Sequence, residues 1–184
     1  MNMNKEIFFD EIRKNLFGGK LRQSQVEGLE LFIDNKPDSI TEAQFAYILA
    51  TVFHETNQAF QPVEEKGKGK GRPYGKPHTN GKIYFGRGYV QITWWTVYKK
   101  VGDAIGVDLY NNPELALVPE TALKITFEGM EKGLFTTRKL SQYINEKETN
   151  FKEARRVING MNRAELIAGY AEKFLLALKL SATQ

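Results

Sequence analysis

Glu55, Glu64 and Glu65 are the side chains best placed to do chemistry. Glu55 lies in an apolar stretch, Ala46 to Gln61 (AYILATVFHETNQAFQ), where Phe45, Ile48, Leu49, Val52 and Phe53 recur at helical spacing. A helix apolar on nearly every side is buried. A carboxylate at its end is costly unless it is paired or useful. Glu64 and Glu65 follow nine and ten residues later, beyond Pro62. Two carboxyl groups on opposite sides of a glycosidic bond can break it: one protonates the leaving oxygen, and the other attacks the sugar or activates water. Burial and the partial negative charge of a helix C-terminus both favour a proton on Glu55, which suits a general acid. A carboxylate beside a basic loop suits a general base. Spacing alone also allows a plainer arrangement, with Glu55 capped by Arg or Lys and both later glutamates solvated.

Other chemistries fit less well. His54-Glu55 begins a zinc-protease pattern, but Gln58 stands where the second histidine is needed. With His54 and His78 the only histidines and no cysteine, no multi-histidine or cysteine-rich metal site and no disulfide framework is expected. No metal or cofactor is therefore expected. Gly86-Arg87-Gly88 lacks the third glycine of a dinucleotide loop and the Gly-Lys-Ser/Thr of a phosphate loop.

The net charge of +4 is concentrated in one place. Lys66 to Lys82 carries Lys66, Lys68, Lys70, Arg72, Lys76 and Lys82 without an acid. The other 20 basic side chains stand against 22 acidic ones. A basic loop with Tyr74 in it is compatible with nucleic acid, but a solvated loop is the simpler reading, and no nucleic-acid partner is expected. No apolar run approaches the roughly 20 residues of a membrane span. The N-terminal MNMNKEIFFDEIRKN has no apolar core of a secretory signal, so synthesis in the cytoplasm is expected.

The elements that must carry these residues are mostly helical. Helices are expected over Glu6–Leu16, from Ser24 (with Glu27 completing a capping box), and after a second S-x-x-E signal at Ser39 and Glu42, the last ending near Ala59. Lys66–Lys82, with five glycines and two prolines, reads as a long loop. Lys82–Thr93 reads as a short β-hairpin bent at Gly86 and Gly88. Helical segments follow over 96–101, from Pro119 to Gly133, over 140–144 and 151–158, and from about Arg163 to Leu180. Tyr84, Tyr89, Trp94, Trp95 and Tyr98 crowd one region, where exposed rings would stack against sugars. The whole chain, residues 1–184, reads as a single mainly α (α+β) domain.

Read together, His54-Glu55-Thr56, Pro62-Val63-Glu64-Glu65 and Tyr84-Phe85-Gly86-Arg87-Gly88-Tyr89-Val90-Gln91-Ile92-Thr93 resemble the family 19 glycoside hydrolases, the chitinases and their phage endolysin and lysozyme-like relatives. Arg155 to Gly160 resembles the family's I-N-G segment, and Phe8 to Gly28 resembles the front of phage-type members. The resemblance implies a lysozyme-like fold with a small β-hairpin beside the active-site groove, and hydrolysis with inversion. Glu55 falls at the general-acid position and Glu65, with Glu64 as its rival, at the base. Thr93 falls where a hydroxyl holds the attacking water. His54, Tyr84, Gln91, Tyr98 and Asn159 are carried over as substrate contacts, and Arg87 as a brace pairing with a carboxylate. Two departures matter: Val97 stands where the family often has Asn, and the segment between the two acids is shorter than in plant chitinases. The first concerns one sugar contact; the second, together with the absence of the plant enzymes' cysteines, shifts the expected substrate from chitin to the glycan strands of peptidoglycan. The implied protein is a monomeric endolysin-type muramidase without stable membrane insertion, made in the host cytoplasm and reaching the wall after holin-type release.

Overall fold

The computed structural model describes residues 2–183. Six α-helices carry the chain: α1 (Lys5–Asn15), α2 (Gln23–Asp34), α3 (Glu42–Glu55), α4 (Trp95–Ile105), α5 (Pro119–Lys132) and α6 (Ala164–Ser181). Two short strands, β1 (Val63–Glu64) and β2 (Arg87–Gly88), pair antiparallel with Val63 opposite Gly88 and Glu64 opposite Arg87.

The centre of the molecule is α3. Every residue from Gln44 to Phe53 is buried. Each large apolar side chain there contributes about 1.5–3 kcal/mol of transfer free energy. α6 packs along it, with Tyr170 edge-on to Phe53 at 4.7 Å. From α5, Phe127 stacks on Phe45. The one amide in this run, Gln44, donates to the Ile144 carbonyl at 2.8 Å, so its burial leaves it paired. An antiparallel bridge between Met3 and Ala182 ties the two ends of the described chain together.

The helix starts differ from the sequence reading. α3 begins at a Thr41–Gln44 box: Gln44 N donates to Thr41 Oγ1 at 3.3 Å, and Thr41 N donates to Gln44 Oε1 at 3.2 Å. The Ser39/Glu42 signal lies two residues too early. At α2, Gln25 rather than Glu27 closes the start, accepting from Arg22 N at 2.8 Å. Glutamine satisfies the same orphan N–H as glutamate in this motif.

The end of α3 matters most. It stops at Glu55 rather than near Ala59. Thr56 Oγ1 donates to the Val52 carbonyl at 2.7 Å and accepts from Phe60 N at 3.1 Å. Asn57, Gln58 and Phe60 then take positive φ, and the chain doubles back. α2 holds that turn. Gln25 Nε2 donates to the Gln58 carbonyl at 3.0 Å, and a Cβ on Gly28 would stand 1.9 Å from the Phe60 oxygen. Only glycine lets the two backbones approach so closely.

The expected hairpin over 82–93 is also different. β2 pairs back to β1 across the basic loop, and within 82–93 only an Arg87–Ile92 bridge forms. Lys66–Lys82 is a run of turns, Lys68 N to the Glu65 carbonyl, Lys70 N to Gly67, Arg72 N to Gly69, with a 3-10 turn at Pro73–Gly75. α5 matches its expected limits, with Pro119 in the first turn and Gly133 left-handed just past the end.

Candidate active site

A cavity of about 520 Å³ opens between the end of α3, the 63–65 and 86–94 segments, and the stretch after α5. Glu55, Glu65, Gln91, Thr93 and Asn159 line it, joined by Tyr74, Gly86, Trp94, Phe135 and Ile158. The structure thus brings together five of the sequence-proposed residues from four separate segments.

Glu55 enters from the last turn of α3. Its Oε1 accepts from Arg155 Nη1 at 2.9 Å, an ion pair whose side chains are 17% and 5% exposed. Arg155 comes from a 3-10 turn, Glu153–Val157, and its Nε donates to the Asn162 carbonyl at 3.1 Å. Removing either partner would strand a largely buried charge. The plainer expectation of an arginine cap on Glu55 is therefore met, and the site is built around it. Glu55 Oε2 has no hydrogen-bond partner among the described residues.

Glu65 is held by its own backbone neighbours. Its N–H donates to the Gly86 carbonyl at 2.8 Å. Gly86 N–H returns a bond to Glu65 Oε2 at 2.9 Å, and Tyr74 Oη donates to Oε1 at 2.8 Å. Burial, then the hydrogen bond and charge of Glu65, push the Tyr74 hydroxyl up, so it stays a donor at neutral pH. A Cβ on Gly86 would meet Gln91 Oε1 at 2.9 Å and Glu65 Cβ at 3.3 Å, so a larger residue there would displace the Gln91 and Glu65 side chains. Glu64 takes the other face of β1, as alternation along a strand requires. It is exposed, pairs with Lys68 at 3.3 Å, and does not line the cavity. Geometry therefore separates two adjacent glutamates that the sequence left in competition.

Gln91 takes φ 54°, closing the turn from Gly88. Its Nε2 donates to the Val63 carbonyl at 2.7 Å and the Gly88 carbonyl at 3.1 Å. Thr93 Oγ1 donates to the Gln91 carbonyl at 3.1 Å and faces the cavity. Asn159 is exposed and lines the same cavity.

Four of the carried-over residues are elsewhere. Tyr84 is 2% exposed and points away from this cavity, donating to the Tyr110 carbonyl at 2.6 Å and accepting from Asn80 at 2.7 Å. Tyr98 is fully buried and donates to the Phe85 carbonyl at 2.6 Å. Arg87 finds no carboxylate within ion-pair distance among the described residues. Its Nη1 donates to the Ile83 carbonyl and Tyr98 Oη, and its guanidinium lies 3.6 Å from the Phe85 ring centre. It braces the 83–87 turn through π and carbonyl contacts. His54 is half-buried in α3's last turn and does not line the cavity. Burial pushes its pKa down, against the pull of Glu55.

Sequence reasoning missed Arg155 as the partner of Glu55 and Tyr74 as a donor to Glu65. Arg155 lies 100 residues from its partner, with no local signal. Tyr74 sat in a loop judged by its charge. Among the described residues, no group of three or more His, Asp or Glu side chains stands where a metal ion could be held.

Comparison with known proteins follows the same lines. The family model for class I chitinases matches residues 38–130, from just before α3 to near the end of α5. Endochitinase 1 of Theobroma cacao is 52% identical over 52 residues, 28% of this chain and 16% of that protein. An endochitinase of Arabidopsis thaliana is 30% identical over 132 residues, 67% of this chain and 46% of that protein. The chain thus spans less than half the length of these curated relatives. Among solved structures, a bacterial family 19 chitinase superposes with a TM-score of 0.63 at 26% identity, covering 96% of this chain and 94% of that one. Chitinase C from Streptomyces griseus shares the fold, with a TM-score of 0.67 at 24% identity over 98% of this chain and 78% of its own. The mainly α, lysozyme-like architecture with its two-strand sheet, and the matched segment that carries both cavity carboxylates, agree: this chain belongs to the family 19 glycoside hydrolases.

Proposed function

We propose that this protein is a glycosidase that cleaves β-1,4 bonds of bacterial peptidoglycan, as a muramidase, with inversion. The observation that carries the reading is the pair Glu55 and Glu65 lining one cavity from different elements, with Thr93 beside them. Glu55 acts as general acid. Arg155 occupies Oε1, so the proton delivered to the glycosidic oxygen sits on Oε2. Glu65 acts as general base, drawing a proton from a water held at Thr93 Oγ1. Tyr74 and Gly86 N–H suit an acceptor-only, ionised carboxylate. Water attacks the face of the sugar opposite the departing oxygen, and the new hydroxyl has inverted configuration. Gln91 and Asn159 contact the strand.

Peptidoglycan is favoured over chitin by the short link between the two acids and by the basic loop beside the cavity, which suits an anionic wall. In this reading the protein works as a monomer, is made in a host cytoplasm, and reaches the wall through a membrane lesion made by a separate protein. No helix among the described residues is long and apolar enough to cross a membrane. A chitin substrate is the second reading, favoured by the endochitinase names of the relatives. A non-catalytic glycan binder is the third: one relative is an inactive chitinase-like protein of Hevea brasiliensis, 49% identical over 39 residues.

The test is digestion of purified cell-wall sacculi and colloidal chitin by the full chain, with new reducing ends counted and products weighed by mass spectrometry. The proposal expects wall fragments ending in reducing muramic acid. Chitooligosaccharides without wall fragments support the second reading, and binding without new ends supports the third. Anhydro-sugar products would overturn hydrolysis itself.

A further inference from the structure

Beside the cavity lies a smaller pocket of about 230 Å³, lined by Pro73, Tyr74, Lys76, His78, Tyr84 and the two tryptophans of Trp94-Trp95. Tyr74 and Trp94 line both spaces, so the two are neighbours. The tryptophans are 47% and 39% exposed, among the largest apolar side chains left open to solvent. Trp94 is also held at φ 75°, a left-handed conformation unfavourable for a bulky residue. Its N–H donates to the Tyr84 carbonyl at 2.9 Å, which fixes it there. A strained backbone that exposes an indole between two hollows points to a binding role rather than a packing one.

The far wall is held by contacts within the protein. The His78 ring lies 4.6 Å from Trp95 at 31°, and its Nδ1 is 3.0 Å from Tyr110 Oη. Tyr84 stacks on Tyr110 at 5.8 Å while donating to its carbonyl. Lys76 stands exposed at the rim with no carboxylate in ion-pair distance among the described residues. Flat aromatic faces suit the C–H face of a pyranose ring, and an unpaired ammonium suits a carboxylate.

We propose that this pocket is a second sugar site, taking a ring of the bound strand that carries a carboxylate, as the lactyl ether of muramic acid does. The inference rests on the peptidoglycan reading for its ligand, but its test reads binding and needs no turnover. The full chain carrying Glu65→Gln is titrated by calorimetry at low salt with two tetrasaccharides. One alternates N-acetylglucosamine with N-acetylmuramic acid; the other is neutral chitotetraose.

The acidic strand should bind about tenfold tighter. Adding Lys76→Ala should remove that preference, and Trp95→Ala should weaken both ligands about tenfold with the circular dichroism spectrum retained. Equal affinity for the two ligands, a preference that survives Lys76→Ala, unchanged affinities in folded Trp95→Ala, or no binding of either ligand would overturn the proposal. Failure of the unsubstituted chain to cut either walls or chitin would instead sink the catalytic reading, and leaves these ratios to be judged on their own.

Discussion

Glu55 and Glu65 reach the same cavity from regions built on different principles. Glu55 ends a helix whose preceding residues from Gln44 to Phe53 are buried without a break, and one side-chain ion pair aims it. Glu65 follows a two-residue strand in a stretch of turns, and is held mainly by the backbone of Gly86 together with the Tyr74 hydroxyl. A packed helix fixes where its last residue lies, so a single distant guanidinium suffices to orient the carboxylate. An irregular segment has no such frame. Its carboxylate is instead fixed by the Gly86 N–H and the Tyr74 hydroxyl, with a main-chain bond from Glu65 to Gly86 beneath it and left-handed residues at Gln91 and Trp94 alongside. The position of Glu55 is thus coupled to global stability, and that of Glu65 to local geometry.

The largest effect should come from removing either carboxyl group. Glu55→Gln and Glu65→Gln should each lower the cleavage rate by about 10²–10⁴-fold, measured as reducing ends released from sacculi. A residual rate within tenfold of the parent for either variant would remove that residue from the chemistry. Arg155→Ala separates the two regions by stability. It leaves the Glu55 carboxylate unpaired in a mostly buried place and should lower unfolding free energy by about 3 kcal/mol, read by urea denaturation. A loss below about 0.5 kcal/mol would show that the pair contributes little to the α3 end.

Tyr74→Phe probes the other region. It removes one donor to Glu65 and should cut the rate about tenfold, roughly the worth of one hydrogen bond to a charged group, while the urea midpoint stays put. A large fall in the midpoint would contradict the local character assigned to that segment. His54 offers a pH test of the α3 end. Its folded pKa is lowered from 6.5, so its neutral form is the one the fold favours. The stability it contributes is full above about pH 6.5 and is lost as pH falls through the folded value. His54→Gln should flatten that part of the stability curve; an unchanged acid limb would assign the loss to other groups. The smallest effect belongs to Glu64→Gln. Its exposed pair with Lys68 contributes about 0–1 kcal/mol, and activity should stay within about twofold.

Much of this was legible in the residues, for physical reasons. α3 declares itself because ten successive buried positions leave an apolar run no loop would carry. α5 was bounded by Pro119 and Gly133, whose backbone preferences are intrinsic. The exit of α3 was not legible, because Asn57, Gln58 and Phe60 are turned left-handed by contacts from α2, including the Phe60 carbonyl resting on Gly28. Nor was the true partner of Arg87-Gly88, since strand pairing across the basic loop leaves no mark within either two-residue strand. Glu55, Glu65, Gln91, Thr93 and Asn159 stand in local motifs, and all five line the cavity. Arg155 and Tyr74 escaped because each acts only through a neighbour brought to it by folding. The motif assigns Tyr84 and Tyr98 to the substrate and Arg87 to a carboxylate, whereas in the structure all three donate to carbonyls of the protein itself.

The central claim is that Glu65 activates water across the cavity from Glu55 instead of attacking the sugar. Proton NMR of the first product, taken within seconds of adding enzyme to a soluble β-1,4-linked oligosaccharide, tests it directly. The account predicts that the α-anomer of the new reducing end appears first and then mutarotates. The β-anomer appearing first would show retention, and would contradict Glu65 as the general base and Thr93 as the residue that holds the attacking water.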